Sequence, residues 1–238
     1  MRLGASLAHL SDAPPFPAAR WAARLEQAGF EGLWTPEVIG RGALVPDPFA
    51  LLAAAAAVTE RVELGTATVQ VPLHHPAELA HRVRSLLSVS GDRLTLGVSP
   101  GSTQADFTLL DRDFRSRFTT LHAHVARLRS LLPPPRDGGP EVLLGSWGAN
   151  VERAARDYDG WVASAVRRTP EQLLEALVGF RAAGGGRAVV MGVRVEDDDD
   201  LVPARDVLRR CADAGFDDAV VLIGPHGPDP ERVRALHP

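Results

Sequence analysis

Cysteine, basic blocks and long apolar runs are all scarce in this chain of 238 residues. Its one cysteine, Cys211, excludes an internal disulfide and favours a cytoplasmic location. No apolar run approaches the roughly 20 residues that span a bilayer, so no membrane partner is predicted. The net charge is −4 and the sequence contains no block rich in lysine and arginine, so no nucleic-acid partner is predicted either.

Several signatures of enzyme chemistry are also missing from the sequence. There is no G-x-S-x-G elbow and no Walker loop, which argues against an α/β-hydrolase and a P-loop NTPase. No group of histidines and acidic residues has the spacing of metal ligands, so no metal site is predicted. Cys211 lies within a predicted helix, which argues against thiol catalysis.

The chain does contain a regular alternation of short apolar runs with amphipathic segments. Runs that are apolar on both faces are typical of strands in a parallel sheet. Eight such units of about 30 residues predict a (β/α)8 TIM barrel, an α/β fold of about 250 residues. We therefore expect one barrel domain over residues 1–238, with short insertions. The predicted strands cover residues 3–7, 32–35, 62–71, 94–98, 141–144, 160–164, 188–195 and 219–223.

A doubly wound open sheet is the alternative fold. Such a sheet usually has fewer strands and places a glycine-rich turn after the first one. The first predicted strand is followed by SDAPPFP, which contains no glycine, so the closed barrel is preferred. The predicted helices cover residues 18–28, 48–59, 115–132, 149–156, 171–183, 202–214 and 230–236, and a further helix follows Pro76.

The second predicted helix has an unusually apolar surface. Residues 49–58 carry no charge, and five alanines occupy positions 53–57. The outer face of a barrel helix normally carries charge, and an apolar patch of this size indicates a covered surface. We therefore expect a homodimer through helices 2 and 3. The alternative is that loops of the same chain cover helix 2.

Small polar residues follow four neighbouring strands at the end where barrel enzymes place their active sites. Glycines there allow backbone N–H groups to approach an anion, and the turn at 145–148 leads directly into a helix. Arg167 and Arg168 follow the sixth strand and complete a candidate phosphate site. The alternative is that these glycines only permit tight turns. The residues are Thr66, Thr68, Gln70, Ser99, Gly101, Ser102, Gly145, Ser146, Gly148 and Ser164.

Groups for acid/base chemistry are few at this end of the barrel. Glu37 ends the second strand, Asp106 follows the fourth, and His9 follows the first. His74 and His75 follow the third strand, although a His-Pro pair at a helix start is more often a cap than a catalyst. A polar anion site with few acid/base groups indicates a protein whose cofactor performs the chemistry.

The order of these motifs resembles a known family. The segments are AARLEQAGFEGLW, TPE, DPFALLAAAAAVTERVELGTATVQVPLHHPAELA, SLLSVSGDRLTLGVSPG and VLLGSWGANVERAARDYDGW. In this order they resemble the bacterial luciferase-like flavin-dependent oxidoreductases, which include FMN monooxygenases and enzymes that use the deazaflavin coenzyme F420. The resemblance implies a (β/α)8 barrel with the flavin lying over the carboxyl ends of the strands.

The resemblance also implies positions for the cofactor. The flavin ring is backed by a bulge at the end of strand 3 that commonly contains a non-prolyl cis peptide, and Ala67-Thr68 is the matching bond. The loops after strands 4, 5 and 6 hold the ring edge, the ribityl chain and the phosphate. The predicted cofactor-binding residues are Thr66, Ala67, Thr68, Ser99, Gly101, Ser102, Gly145, Ser146, Trp147, Ala163, Ser164 and Arg168.

The chain departs from the family pattern in three places. Many members carry a histidine in the strand 2 loop, where this chain has Pro36 and Glu37. The Gly-Gly pair common in the phosphate loop is replaced by Gly145, Ser146 and Trp147. The segment that covers the active site is reduced to PPPRDGG.

From these observations we expect an oxidoreductase or monooxygenase that uses FMN or F420. It would act on a small organic substrate, with hydride transfer at the flavin ring over the strand 3 bulge. Glu37 and His75 are the candidate acid/base residues. The alternatives are a non-catalytic flavin-binding relative, favoured by the missing histidine and short covering segment, and a barrel without a cofactor.

Overall fold

The computed structural model describes residues 1–8, 17–42 and 45–237. Eight parallel strands close into a barrel in the order of the sequence, as predicted. The strands are β1 (Arg2–Ser6), β2 (Gly32–Thr35), β3 (Glu63–Gln70), β4 (Leu94–Ser99), β5 (Glu141–Leu144), β6 (Gly160–Ser164), β7 (Arg187–Val195) and β8 (Asp218–Ile223). His9 lies outside the described residues.

Helices connect the strands and form the outer layer. They are α1 (Ala18–Gln27), α2 (Pro48–Ala56), α3 (Pro76–Ser90), α4 (Gln104–Leu109), α5 (Arg117–Leu131), α6 (Asn150–Asp157), α7 (Pro170–Ala182), α8 (Leu201–Ala214) and α9 (Pro230–Arg234). Helix α4 is not predicted by the sequence pattern. Helix α5 begins two residues later than predicted, because the Asp113 carboxylate accepts hydrogen bonds from the Arg115 and Ser116 N–H groups and forms a turn there.

A single tryptophan occupies the interior of the barrel. Trp34 points inward from β2 and packs in an inner cluster with the side chains of β5 to β8. Glycines on β1, β2 and β3 provide the space, since a methyl group added at Gly32 or Gly65 would collide with the indole and one added at Gly4 would lie 3.1 Å from it. A larger apolar core lies between the sheet and the helices. The barrel is therefore a packed core, and ligands must bind above it.

Charged residues close the amino-terminal end of the barrel. Arg187 of β7 pairs with Glu63 at 2.7 Å, Asp218 at 2.8 Å and Glu141 at 2.8 Å. Arg2 of β1 pairs with Glu63 and Asp218 from the other side. Burial alone would raise the pKa of Glu63, but hydrogen bonds from Arg187 and Thr95 and the charges of both arginines lower it.

The apolar helix α2 is covered mainly by its own neighbours. It packs between α1 and α3, and Phe49, Leu51, Leu52 and Ala55 are buried in this chain alone. The Arg82 guanidinium of α3 lies 4.5 Å from the centre of the Phe49 ring. The exposed apolar surface of α2 is therefore smaller than the sequence pattern predicts. No helix within the described ranges combines the length and apolarity required to cross a membrane.

Candidate functional site

Strand β3 contains a non-prolyl cis peptide between Ala67 and Thr68, which confirms the prediction. The register with β4 shifts between Thr66 and Val69, so the backbone bulges at this point. The Thr66 hydroxyl donates to the Gly97 carbonyl at 2.8 Å. The Thr68 side chain fits against glycines on the next two strands, since a methyl group added at Gly145 would lie 2.6 Å from Thr68 Cγ2.

Small side chains line the barrel mouth around this bulge. Ser99 ends β4 and is half-buried, and its hydroxyl accepts from the Gly101 N–H at 3.4 Å. Gly101 is buried and has a φ of +79°, a conformation that favours glycine. Ser102 is exposed. The predicted ring-edge loop therefore lies at the same rim as the bulge.

The turn after β5 contacts both β6 and the loop that follows β6. The Ser146 carbonyl accepts a hydrogen bond from Trp161 Nε1 at 3.1 Å, which fixes the backbone of the turn. Trp147 is half-buried, and the Arg168 guanidinium lies 4.7 Å from the centre of its ring. The structure thus brings Ser146, Trp147 and Arg168 together, as the phosphate-site prediction requires. Ser164 is exposed at the end of β6.

Ala163 differs from the other predicted cofactor residues. Its side chain is fully buried in the outer core, between the sheet and the helices. Alternation along β6 explains this position, because Val162 points into the barrel interior and Ala163 to the opposite face. No part of Ala163 is exposed, so the structure does not support its predicted role as a cofactor-binding residue.

A cleft of about 440 Å³ opens beside the β5 loop, between α5 and α6. Its polar lining residues were not among the predicted site residues; they are Thr119, His122, Asn150 and Arg153. His122 Nδ1 lies 3.1 Å from the Tyr158 hydroxyl, and its buried Nε2 has no hydrogen-bond partner among the described residues. Burial, together with the charge of Arg153, lowers the pKa of His122. Asn150 and Arg153 could have been recognised because they follow the predicted phosphate loop directly.

Glu37 is buried at the end of β2, with 5% of its surface exposed. Its Oε2 accepts the Gln70 backbone N–H at 2.7 Å, and its Oε1 lies 2.8 Å from His74 Nε2. The Glu37 backbone N–H donates to the Thr68 carbonyl at 3.3 Å. Glu37 is therefore attached to the bulge of β3 and to the histidine that follows it.

His75 occupies a different position from the one expected of an acid/base residue. It is exposed, and its Nδ1 accepts the Ala77 N–H at 3.3 Å at the start of α3. Pro76 at the first helical position and the extended backbone of His75 make it the N-cap. The structure brings His74, not His75, to Glu37. The sequence alone does not distinguish the two, because only the turn at 71–73 decides which ring faces inward.

Asp106 of α4 connects the strand 2 loop to the end of β3. Its carboxylate accepts from Arg41 at 2.9 Å, from the Gly40 N–H at 3.0 Å and from Gln70 Nε2 at 2.9 Å. Burial alone would raise the pKa of Asp106, but these hydrogen bonds lower it below its ordinary value. Asp106 is therefore an ionised structural acceptor, and the strand 2 loop is held at the mouth.

The side-chain oxygen of Gln70 is buried and has no partner among the described residues. The Gln70 amide can have only one orientation here, because its nitrogen must donate to two acceptors, the Asp106 carboxylate and the Glu37 carbonyl. Oε1 consequently faces Gly101, where an added methyl group would approach it to 2.7 Å. An unsatisfied buried acceptor costs about 1–3 kcal/mol, so this atom favours a ligand that donates a hydrogen bond.

Within the described residues, no group of three or more histidines, cysteines or acidic residues is placed to hold a metal ion. The candidate site contains small polar residues, backbone groups and two buried carboxylates, Glu37 and Asp106.

Comparison with known proteins agrees with this geometry. The model of the luciferase-like monooxygenase family matches residues 3–201, so the chain belongs to that family. A curated relative, 4-hydroxyprotoasukamycin monooxygenase of Streptomyces nodosus subsp. asukaensis, is 40% identical over 96 residues. The match covers 40% of this chain and 25% of the relative, so the chain corresponds to only part of that protein.

Two solved structures have the same fold at low sequence identity. An F420-dependent secondary alcohol dehydrogenase in complex with an F420-acetone adduct has a TM-score of 0.76 and 14% identity. That match covers 98% of this chain and 96% of the dehydrogenase. The oxygenating constituent of 3,6-diketocamphane monooxygenase from Pseudomonas putida, in complex with FMN, has a TM-score of 0.68 and 15% identity over 83% of this chain and 68% of its own.

Proposed function

We propose that this chain is an oxidoreductase or monooxygenase that uses FMN or coenzyme F420 and acts on a small organic substrate. The observation that carries the proposal is the bulge of β3 between Thr66 and Val69, with Gly97 of β4 and Gly145 after β5 beside the Thr68 side chain. It presents backbone and small side chains on the face where barrel enzymes bind their ligands. Family membership and the F420- and FMN-bound structures of the same fold support it.

The residues present fit such a cofactor. Ala67 and Thr68 would support the ring, and the Gln70 side-chain oxygen offers an acceptor for a ring N–H. The phosphate would be held by the turn at 145–148 and by Arg168. The cleft beside that turn would add Asn150 and Arg153. When bound, the flavin or deazaflavin supplies the capacity to accept and donate hydride. The chain itself orients the ring and excludes water.

Titration of the purified protein with FMN and with F420 tests the proposal. A saturable change in the visible spectrum with one of the two is the expected result, and it also decides between them. Reduction and reoxidation should then be followed in the presence of small alcohols, ketones and olefins. Binding of neither cofactor at concentrations that saturate a known family member would contradict the proposal.

A flavin-binding protein without catalysis is the second candidate. Its support is that the family resemblance implies a histidine in the strand 2 loop, where this chain has Pro36 and Glu37. The short connection between α5 and β5 does not support it as expected, because this connection leads into Glu141 at the amino-terminal end of the barrel, opposite the mouth. Tight binding with no turnover of any substrate in the panel is the result that would favour this candidate.

A cytoplasmic homodimer through α2 and α3 is also part of the proposal. Ala50, Ala57 and Val58 remain exposed on or just after α2, and small side chains permit close helix packing. Ala57→Arg should produce soluble monomers in analytical ultracentrifugation. Val178→Arg on the exposed face of α7 is the control and should leave the assembly unchanged. A wild-type chain that is already monomeric at micromolar concentration would contradict the dimer.

A further inference from the structure

The proposed function leaves open which side chain moves protons. Building on that function, we propose that His74 Nδ1 exchanges a proton with the bound substrate. Glu37 acts as the positioning residue that holds the His74 ring. The sequence does not indicate this role for His74, which precedes the capping residue His75.

The hydrogen bonds of Glu37 determine which nitrogen of His74 is available. An ionised carboxylate only accepts, so His74 Nε2 must carry the hydrogen of the 2.8 Å contact with Oε1. A neutral imidazole has one N–H, so Nδ1 then holds a lone pair. No hydrogen bond joins Nδ1 to any other residue in the described part of the chain. It is therefore the nitrogen open to a ligand.

The pair lies at the predicted cofactor site. Glu37 contacts β3 twice, through the Thr68 carbonyl beside the cis peptide and through the Gln70 N–H. The side chains of Glu37 and His74 are only 3% and 11% exposed, so the contact is shielded from bulk water. The nearest other charges in the network are Asp106 and its partner Arg41, on the far side of the Gln70 amide.

The proton step balances without a further reagent. As an N–H bond forms at Nδ1, the O–H or N–H bond of the substrate breaks and its electron pair stays on the substrate atom. The resulting imidazolium is stabilised by the Glu37 carboxylate. The reverse step returns the proton from Nδ1. The redox cofactor of the proposed function would supply the separate hydride chemistry.

Glu37→Gln gives a specific test because its neighbours dictate how the amide must sit. The Gln70 N–H is a donor, so the amide oxygen must face it. The amide nitrogen then faces His74 Nε2 and donates to it. Nε2 becomes the acceptor and the hydrogen moves to Nδ1. The variant therefore reverses the tautomer of His74 while it keeps the shape of the side chain.

Nitrogen-15 NMR of the imidazole rings of the full chain measures this directly, at a pH where the rings are neutral. In the wild type, His74 should have a protonated Nε2 and an unprotonated Nδ1, and Glu37→Gln should exchange the two assignments. Glu78→Gln and His81→Gln, both exposed on α3, are the matched controls and should leave the His74 assignments unchanged.

Addition of FMN or F420 completes the experiment. Binding should shift the Nδ1 resonance of His74 more than any resonance of His75 or His81. A protonated Nδ1 in the wild type, or cofactor binding without a His74 shift, would overturn the assignment and leave the proposed function standing. Absence of binding in the optical titration would overturn the proposed function, and the catalytic assignment of His74 with it.

Discussion

The two ends of the barrel use polar side chains in opposite ways. At the amino-terminal end, Arg187, Arg2, Glu63 and Asp218 satisfy one another in a network of short ion pairs. At the carboxyl-terminal end, the buried side-chain oxygen of Gln70 has no partner among the described residues. A network in which every polar group is paired stabilises the fold but offers no group to a ligand. A buried polar group without a partner lowers the stability of the free protein, and a ligand that hydrogen-bonds to it can offset that loss.

The side chains of the inner layer show the same contrast. Trp34 and branched apolar side chains fill the middle of the barrel, while the carboxyl-terminal rim has Thr68, Ser99 and Gly145. Removal of a paired polar group should therefore lower stability at either end, whereas addition of a side chain should reduce ligand binding only at the carboxyl-terminal end. The predictions below test this difference.

Arg187→Met should have the largest effect on stability. It leaves Glu63 and Asp218, whose side chains are 13% and 6% exposed, without their central cation. Loss of one partner from a buried ion pair costs about 3–5 kcal/mol. We expect the free energy of unfolding in urea to fall by this amount. Cofactor affinity of the folded fraction should stay unchanged.

Arg194→Met on the same strand is the control for Arg187→Met. Its side chain is 56% exposed and lies 3.8 Å from Glu196, so its loss should change stability by less than about 1 kcal/mol. Equal effects of the two substitutions would contradict the view that the buried network stabilises this end of the barrel.

The network also predicts a dependence of stability on pH. The pKa of Glu63 is lowered in the folded chain from its ordinary value of 4.5. Its stabilising contribution is therefore complete above pH 4.5 and is lost as the pH falls through the folded pKa. Urea unfolding across this acidic range should show the loss in the wild type and a smaller loss in Arg187→Met. Equal slopes would exclude Arg187 as the cause.

Asp106→Asn should cost about 2 kcal/mol, the range for a buried polar network that loses an acceptor. Arg41, the Gly40 N–H and the Gln70 amide all donate to this carboxylate, and an asparagine has only one oxygen for them. The strand 2 loop should become more accessible to hydrogen exchange. Asp111→Asn is the control because Asp111 is exposed and asparagine tolerates its φ of 51°.

The sequence predicted the barrel because eight apolar runs and their helical partners repeat with a regular period. It also located the bulge, through the resemblance carried by LGTATVQVP. The sequence did not predict the ion pairs of Arg187, because its partners Glu63 and Asp218 are distant in the chain and the three glycines before it indicate only a turn. It did not distinguish His74 from His75, because the orientation of neighbouring side chains depends on a three-residue turn. Local periodicity predicts elements, whereas these contacts depend on closure of the barrel.

Ser146→Asp should weaken binding of FMN or F420 by more than about 1.4 kcal/mol, or tenfold. The new carboxylate would lie beside the predicted phosphate position and repel it. Isothermal titration calorimetry provides the measurement. Ser102→Asp is the comparison, because Ser102 is exposed after β4 and farther along the predicted ring edge. Unchanged affinity in Ser146→Asp would place the phosphate outside the β5 loop.

Gly145→Ala should have the smallest effect, about 1 kcal/mol in cofactor binding, or roughly fivefold. The added methyl group would lie 2.6 Å from Thr68 Cγ2, so Thr68 must move and the surface beside the cis peptide changes shape. Gly179→Ala on α7 is the matched control, because nothing lies within 4 Å of its added methyl group. The control should stabilise the helix by about 0.5–1 kcal/mol and leave affinity unchanged. Unchanged cofactor affinity in Gly145→Ala would mean that the space beside Thr68 serves packing alone. The difference between the two ends of the barrel would then depend only on the unpaired side-chain oxygen of Gln70 among the described residues.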